Sequence, residues 1–245
     1  MPIALPCMDP ISPVFPPVED ALREPNGLLC MGGNLSPATI LDAYRSGIFP
    51  WFSGDDPLLW WSPDPRMVFQ TDAVHLSSKF RRTLRKSNWE VRFDEDFAAV
   101  IATCASTPRA GQQGTWIVPE MIRAYTSLNR LGFAHSVEVF ADNERIGGLY
   151  GLAIGQMFFG ESMFSLVEGG SKVALAGLAH VLNAAGWPLI DCQVENPHLV
   201  LMGGINLPRA DYLAQVATQC RKPGVMGSWR GQMPVVPASA LATLR

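Results

Sequence analysis

AHSVEVFADNERIGGLYGLAIGQMFFGESMFS, residues 134–165, is three strands and two turns. Ala134–Phe140 alternates, Asp142-Asn143 turns the chain, Arg145–Ala153 runs back, a second turn falls near Gly155, and Gln156–Ser165 returns. Glycines at 147, 148 and 151 in the middle strand predict a bulge or a close backbone approach. In the third strand the period of two puts Glu161, Met163 and Ser165 on one face and Ser162 and Phe164 on the other. A carboxylate in an aromatic-rich strand is costly to bury without a partner. Glu161 is therefore either a wet or ion-paired edge residue, or an acid lining a mostly apolar pocket.

Outward from this meander the pattern is regular. Upstream lie a helix from Ser77 to about Lys86, a strand Trp89–Phe93, a helix Asp96–Ala105, a Gly/Gln-rich loop Arg109–Gly114 leading into Thr115-Trp116-Ile117, and a helix Pro119–Leu131. Downstream lie a helix Ser171–Ala185, a buried strand Leu189–Gln193, a helical turn at Asn196–Met202 and a last helix Pro208–Cys220. The Pro- and Gly-bearing tail from Lys222 reads as loosely held. Helix, strand, two helices, three antiparallel strands, helix, strand, helix is similar to the order of the N-acetyltransferase-like acyl-transfer fold.

The first third is different. Residues 1–14 are broken by prolines and read as irregular, and residues 26–34 are rich in turn signals. Ser36-Pro37 opens a helix with an N-cap and a proline at the first helical position; Ile40, Leu41 and Tyr44 form its apolar face and Gly47 ends it. Prolines at 50, 57, 63 and 65 forbid a helix through Phe49, Trp51, Phe52, Trp60 and Trp61. These rings form either a small aromatic core or a stacking surface for a base. A break near residue 63 divides the chain into a small N-terminal α+β domain, 1–63, and a larger α/β/α domain, 64–245.

Of 245 residues, 48% are hydrophobic and 17% charged, which specifies a well-cored globular chain. The net charge of −3 leaves no global basic field, so nucleic-acid contact requires a local patch. Lys79, Arg81, Arg82, Arg85 and Lys86 are such a patch, with no interleaved acids; a solvated helix face and a phosphate-facing surface both fit it. Five scattered cysteines without a CxxC speak against a disulfide framework and a zinc site. The sequence lacks a signal-like start and any run near 18 apolar residues, so a cytoplasmic protein away from membranes is expected. The four histidines have no ligand spacing, no serine sits in GxSxG, and Gly147-Gly148-Leu149-Tyr150-Gly151 continues a strand instead of forming a dinucleotide turn.

Asp191-Cys192-Gln193 is the strongest polar constellation. On a strand, a spacing of two places Asp191 and Gln193 on one face, where the carboxylate could accept from the glutamine amide and leave its oxygen pointing outward. The pair is either mutual satisfaction at a strand end or an acceptor for an attacking amine.

Several motifs carry a resemblance: Gly47-Ile48-Phe49-Pro50-Trp51-Phe52, Trp60-Trp61-Ser62-Pro63-Asp64-Pro65-Arg66, Thr115-Trp116-Ile117, His135-Ser136-Val137-Glu138, Phe158 to Ser165 and Leu189 to Gln193. From about residue 15 to 213 the chain resembles the leucyl/phenylalanyl-tRNA–protein transferases. The resemblance implies transfer of leucine or phenylalanine from aminoacyl-tRNA to proteins beginning with arginine or lysine, creating an N-degron, by a cytoplasmic monomer without metal or coenzyme. It implies that Asp191 orients and polarises Gln193, that Gln193 steers the amine's proton, and that Glu161 attracts the acceptor's cationic residue. It further implies an apolar pocket of Phe158, Met163, Leu149, Leu175 and Leu178, the last where an aromatic is common. Trp51 and Trp116 would hold the terminal adenosine, and the Lys79–Lys86 helix the acceptor-stem phosphates. Phe158 and Glu161 have opposite parity, so sharing one pocket requires a bulge at Gly160.

Two other classes share parts of this pattern. An acetyl-CoA-dependent N-acetyltransferase shares the element order, but Val167-Glu168-Gly169-Gly170-Ser171 lacks the basic or glutamine lead of a pyrophosphate turn. A non-catalytic RNA- or peptide-binding module would use the aromatic segment as its platform.

Overall fold

The computed structural model describes residues 5–54, 56–107 and 116–243; the Gly/Gln-rich loop and Thr115 lie outside the described residues. The N-terminal part is a four-stranded sheet ordered β1-β2-β4-β3: β1 Cys7–Met8, β2 Leu28–Gly32, β3 Phe49–Pro50 and β4 Leu59–Trp61. The segment expected to be irregular thus supplies a strand, with Cys7 and Met8 parallel to Met31 and Gly32. Helix α1, Pro37–Arg45, links β2 to β3; the Ser36 hydroxyl accepts from the Thr39 amide and caps it.

The chain then passes into an eight-stranded sheet through β5, Arg66–Gln70. Next come α2 Ser78–Leu84, β6 Glu90–Phe93, α3 Phe97–Ser106, α4 Pro119–Arg130, and the meander β7 Ala134–Ala141, β8 Glu144–Ile154 and β9 Met157–Ser165. The remainder is α5 Gly170–Ala184, β10 Leu189–Asp191, α6 Pro197–Leu201, β11 Ile205–Leu207, α7 Arg209–Gln219 and β12 Val236–Pro237. The strand order is β11-β5-β10-β9-β8-β7-β6-β12, and only β9 and β10 run parallel. The result is a mixed α/β sandwich with a smaller N-terminal sheet.

Two apolar clusters cover the two faces of the large sheet. One joins the N-terminal sheet, α1, α3 and α4 to Tyr150, Leu152 and Phe159. The other joins α5 and the C-terminal segment to Val137, Leu149 and Phe158. The N-terminal sheet thus shares its core with the large one. Helix α5 approaches closely because Gly147 faces Gly170: a Cβ on Gly147 would lie 2.6 Å from the Gly170 Cα.

The tail is not loosely held. Trp229 is fully buried, stacked on His135 with ring centroids 4.0 Å apart, and its amide donates to Asp94 at 2.7 Å. Residues 236 and 237 pair with β6, and Leu241 and Ala242 are buried behind them. The apolar area of one tryptophan outweighs the Pro/Gly bias of its surroundings.

Candidate functional site

The third strand of the meander contains a bulge, but at Glu161 and not at Gly160, and it leaves Phe158 and Glu161 on opposite faces, where they border the cleft from its two sides. Tyr150 pairs with Ser162 and Gly151 with Gly160, so Glu161 has no partner on β8. The extra residue reverses the alternation. Phe158 and Met163, five residues apart, both join the α5 side, while Glu161 turns toward α1 and α4. The expectation that Glu161 and Met163 share a face is therefore corrected. Gly151 is required opposite the bulge, because a Cβ there would lie 2.2 Å from the Phe159 carbonyl oxygen.

Beside the bulge, β9 and β10 separate. Their parallel pairing ends at Phe159 and Asp191, and the cleft opens beyond those residues, at the carboxyl end of β10. It holds about 310 Å³. All eight residues expected to bind substrate line it: Trp51, Trp116, Leu149, Phe158, Glu161, Met163, Leu175 and Leu178. Gln193 lines it too, but Asp191 does not. The wall of Leu149, Phe158, Met163, Leu175 and Leu178 is apolar. Trp51 is 37% exposed and tilts against Trp61 at 5.4 Å.

Asp191 sits behind the cleft. Its oxygens receive Arg66 Nε at 2.8 Å and Nη2 at 2.7 Å, and the Tyr212 hydroxyl at 3.0 Å. The guanidinium lies between the rings of Phe49 and Tyr212, 4.6 and 4.7 Å from their centroids. Burial pulls the Arg66 pKa down, but the Asp191 charge and hydrogen bonds, with Tyr212 and Tyr44 adding to them, together outweigh it and hold the guanidinium above its ordinary pKa. Burial likewise drives the Tyr212 hydroxyl and the Cys192 thiol well up, so neither ionises at neutral pH.

Asp191 and Gln193 do not share a strand face. The strand ends at Asp191, and Gln193 adopts a left-handed backbone with φ 64°. Asp191 accepts from the Gln193 backbone amide at 2.9 Å, not from its side chain. The side-chain amide donates to Glu161 Oε1 at 2.9 Å. Asp191 thus fixes the backbone of residue 193, and Glu161 fixes the amide.

Glu161 is the hub. Its Oε1 meets the Tyr44 hydroxyl and accepts from Gln193, its Oε2 meets the Tyr125 hydroxyl at 3.0 Å, and the two hydroxyls lie 2.6 Å apart. Burial pushes the carboxyl up to about 8, with the two hydroxyl donors pulling in the other direction. Tyr44, Tyr125, Arg66 and Tyr212 escaped sequence reading as site residues. An arginine opening the apolar run of residues 66–69 was the available signal, because a charge there demands a buried partner.

The basic residues lie elsewhere. Lys79, Arg81 and Arg82 are on α2, Arg85 caps it and Lys86 follows; none lines the cleft. Lys79, Arg82, Arg85 and Lys86 are exposed, while Arg81 is half-buried and donates to Ser78 at 3.3 Å. Phe80 of this helix packs on Gly169 at the start of α5 and lies beneath Lys172 at 5.9 Å. Through α5, the basic helix is joined to the wall formed by Leu175 and Leu178. Among the described residues no His, Cys, Asp and Glu cluster has metal-binding geometry, and no helix is long and apolar enough to cross a membrane.

A cleft where two strands part, with an apolar wall and an amide–acid pair, on a mixed α/β scaffold, has the make-up of an enzyme site, and the family match makes that enzyme a transferase. The family model described as leucyl/phenylalanyl-tRNA protein transferase matches residues 68–217, and that for its N-terminal domain matches residues 33–64. The leucyl/phenylalanyl-tRNA–protein transferase of Xanthomonas axonopodis pv. citri is 60% identical over 97% of this chain and 95% of its own. That of Xylella fastidiosa is 58% identical over 88% of each. A GCN5-related N-acetyltransferase from Kribbella flavida is 10% identical, with a TM-score of 0.34 over 71% of this chain and 61% of its own, too distant to carry weight. The chain belongs to the leucyl/phenylalanyl-tRNA–protein transferase family and is an aminoacyltransferase.

Proposed function

We propose that this enzyme moves leucine or phenylalanine from aminoacyl-tRNA onto the N-terminal amine of proteins that begin with arginine or lysine, and so creates a degradation signal. One observation carries the reading: an apolar wall and a carboxyl–amide pair meet at a single strand bulge. The wall of Leu149, Phe158, Met163, Leu175 and Leu178 suits a leucyl or phenylalanyl side chain, and the thioether of Met163 suits two shapes. Glu161 gives the acceptor's cationic side chain a partner. Trp51 and Trp116 offer rings to the terminal adenosine.

The chemistry asks little of the protein. An aminoacyl ester is already activated, and an α-amine with pKa near 8 is partly neutral at pH 7. What remains is positioning. With its amide nitrogen turned to Glu161, Gln193 presents its oxygen to accept from the attacking amine. The nitrogen attacks the ester carbonyl, the ribose oxygen leaves, and the proton lost by nitrogen goes to that oxygen. Asp191 acts through the backbone of Gln193 as a positioning residue. The exposed cations of α2 would meet acceptor-stem phosphates.

Transfer of labelled leucine from charged tRNA to an Arg-starting peptide, beside an Ala-starting one, tests this reading. Native protein should label the first strongly. Gln193→Ala should lower kcat, and Glu161→Ala should erase the preference between peptides. Equal labelling of both peptides by native protein would rule out the acceptor assignment.

A further inference from the structure

Three short approaches join Tyr44, Tyr125 and Glu161: hydroxyl to hydroxyl, and each hydroxyl to one carboxyl oxygen. Each tyrosine has one proton to donate. If Glu161 is a carboxylate, both protons go to it and none remains for the 2.6 Å Tyr44–Tyr125 approach. Two oxygens that close, with no proton between them, repel. A third proton, on the carboxyl, satisfies all three in a closed cycle: Glu161 to Tyr125, Tyr125 to Tyr44, Tyr44 to Glu161. Gln193 adds a donor to the carboxyl's other oxygen without disturbing the cycle.

We propose that Tyr44, Tyr125 and Glu161 form a three-proton ring that holds Glu161 as a neutral acid in the free enzyme, and that the cationic residue of the acceptor opens it by displacing the carboxyl proton to solvent. The second part rests on the acceptor assignment under Proposed function. The step balances: neutral acid plus bound cation gives a carboxylate–cation pair plus one solvent proton. The surroundings favour the neutral form. Both tyrosine side chains are fully buried, and burial holds both hydroxyls well above their ordinary pKa, so they stay protonated. The ionisable groups facing the ring are Tyr150 from β8, next to Tyr125, Asp191 from β10 and Arg66 from β5. Arg66 and Asp191 neutralise each other, so no uncompensated cation holds Glu161 ionised. Burial places its titration near 8. Tyr44 and Tyr125 are then positioning residues for acceptor choice: they keep the acid neutral until a cation replaces the proton.

Infrared difference spectra of native protein and Glu161→Gln test the ring without substrate. Glu161→Gln keeps the cycle, because an amide can donate to Tyr125 and accept from Tyr44, but it cannot ionise. A protonated-carboxyl C=O band belonging to Glu161 should be present at pH 6 and fade toward pH 9. Tyr44→Phe and Tyr125→Phe should each move that band and the pH at which it fades. A band absent at pH 6, or unmoved by both tyrosine variants, overturns the ring. Calorimetric titration with an Arg-starting peptide at pH 7, in phosphate and in Tris, counts protons. Native protein should release close to one per peptide bound, and Glu161→Gln none. Binding without proton release overturns the displacement alone. Failure of the peptide to bind, with no transfer to it, overturns the acceptor assignment and the displacement with it, while the infrared result still decides the ring.

Discussion

Arg66 and Asp191 form a two-pronged pair at 2.8 and 2.7 Å with side chains 1% and 0% exposed. The pair ties the first strand of the large sheet to the strand that ends at the cleft. Removing either partner leaves a buried charge unpaired. Asp191→Ala should therefore cost about 3–5 kcal/mol of stability in addition to any loss of turnover. Arg66→Met should cost a similar amount, and the double variant Arg66→Met/Asp191→Ala much less than their sum. Urea unfolding of the three proteins measures this, and additive losses would show that the charges are not coupled. The simple experiment of deleting Asp191 and reading activity thus confounds chemistry with folding. Asp191→Asn keeps the shape and an oxygen for the Gln193 tether but still strands the Arg66 charge, so its transfer rate is read only at a temperature and pH where urea unfolding shows the variant folded.

Trp229 touches four aromatic rings: His135 stacked at 4.0 Å, Phe158 at 5.8 Å, and Phe93 and Trp187 at 6.1 Å. Trp229→Ala should destabilise by about 3–5 kcal/mol, as large-to-small changes of buried aromatics do. Because Phe158 also lines the cleft, the same variant should raise the Michaelis constant for charged tRNA. A change in urea midpoint equivalent to less than about 1 kcal/mol would mean that the tail is only draped on the sheet.

Local signals made the helices and the central strands legible, while β5, β11, β12 and the strands of the N-terminal sheet were not read as strands. Caps at Ser36, Ser77 and Asp96 start helices where the sequence placed them, and the meander of residues 134–165 has its turns at the expected sites. A bulge was expected at Gly160 to bring Phe158 and the acid to one face; it falls at Glu161 instead and aligns Phe158 with Met163, leaving the acid on the other face. What was not legible depended on partners distant in sequence. Tyr44 read as one more apolar residue of α1, because nothing local shows that its hydroxyl meets a carboxyl 117 positions away. Asp191 and Gln193 read as strand neighbours, because a left-handed turn at a non-glycine residue has no propensity signal. The tail has the composition of a loop, while its position is set by Trp229, by the pairing of residues 236 and 237 with β6, and by the burial of Leu241 and Ala242.

The α2 cations predict a salt effect. Lys79, Arg82, Arg85 and Lys86 are exposed, and none of them pairs with an acid among the described residues. Replacing all four with alanine should weaken tRNA binding and lower the slope of log K against log salt by about 0.7–0.9 for each phosphate no longer neutralised. Binding isotherms at several salt concentrations read the slope. Transfer to peptide at saturating tRNA should change little, because no α2 residue lines the cleft. An unchanged slope would leave α2 as a solvated face.

Glu161 also makes stability depend on pH, with a definite sign. Its carboxyl is raised from an ordinary 4.5 to about 8 in the folded chain, mainly by burial. An acid whose folded pKa is raised contributes most to stability below the unfolded value. That contribution falls as pH rises from about 4.5 and is lost by about 8, because the unfolded chain ionises first. Glu161→Gln has no such loss. The variant should therefore gain on the native protein between pH 5 and pH 8. One pKa unit is worth about 1.4 kcal/mol, and partial exposure of the side chain to the cleft reduces the sum to about 1–3 kcal/mol. Glu138, also raised by burial, is common to both proteins and cancels in the comparison. Melting temperatures of the pair at pH 5, 6.5 and 8 give the difference directly. A constant difference across that range would mean that Glu161 is ionised throughout, and a shrinking one would reverse the sign of its burial.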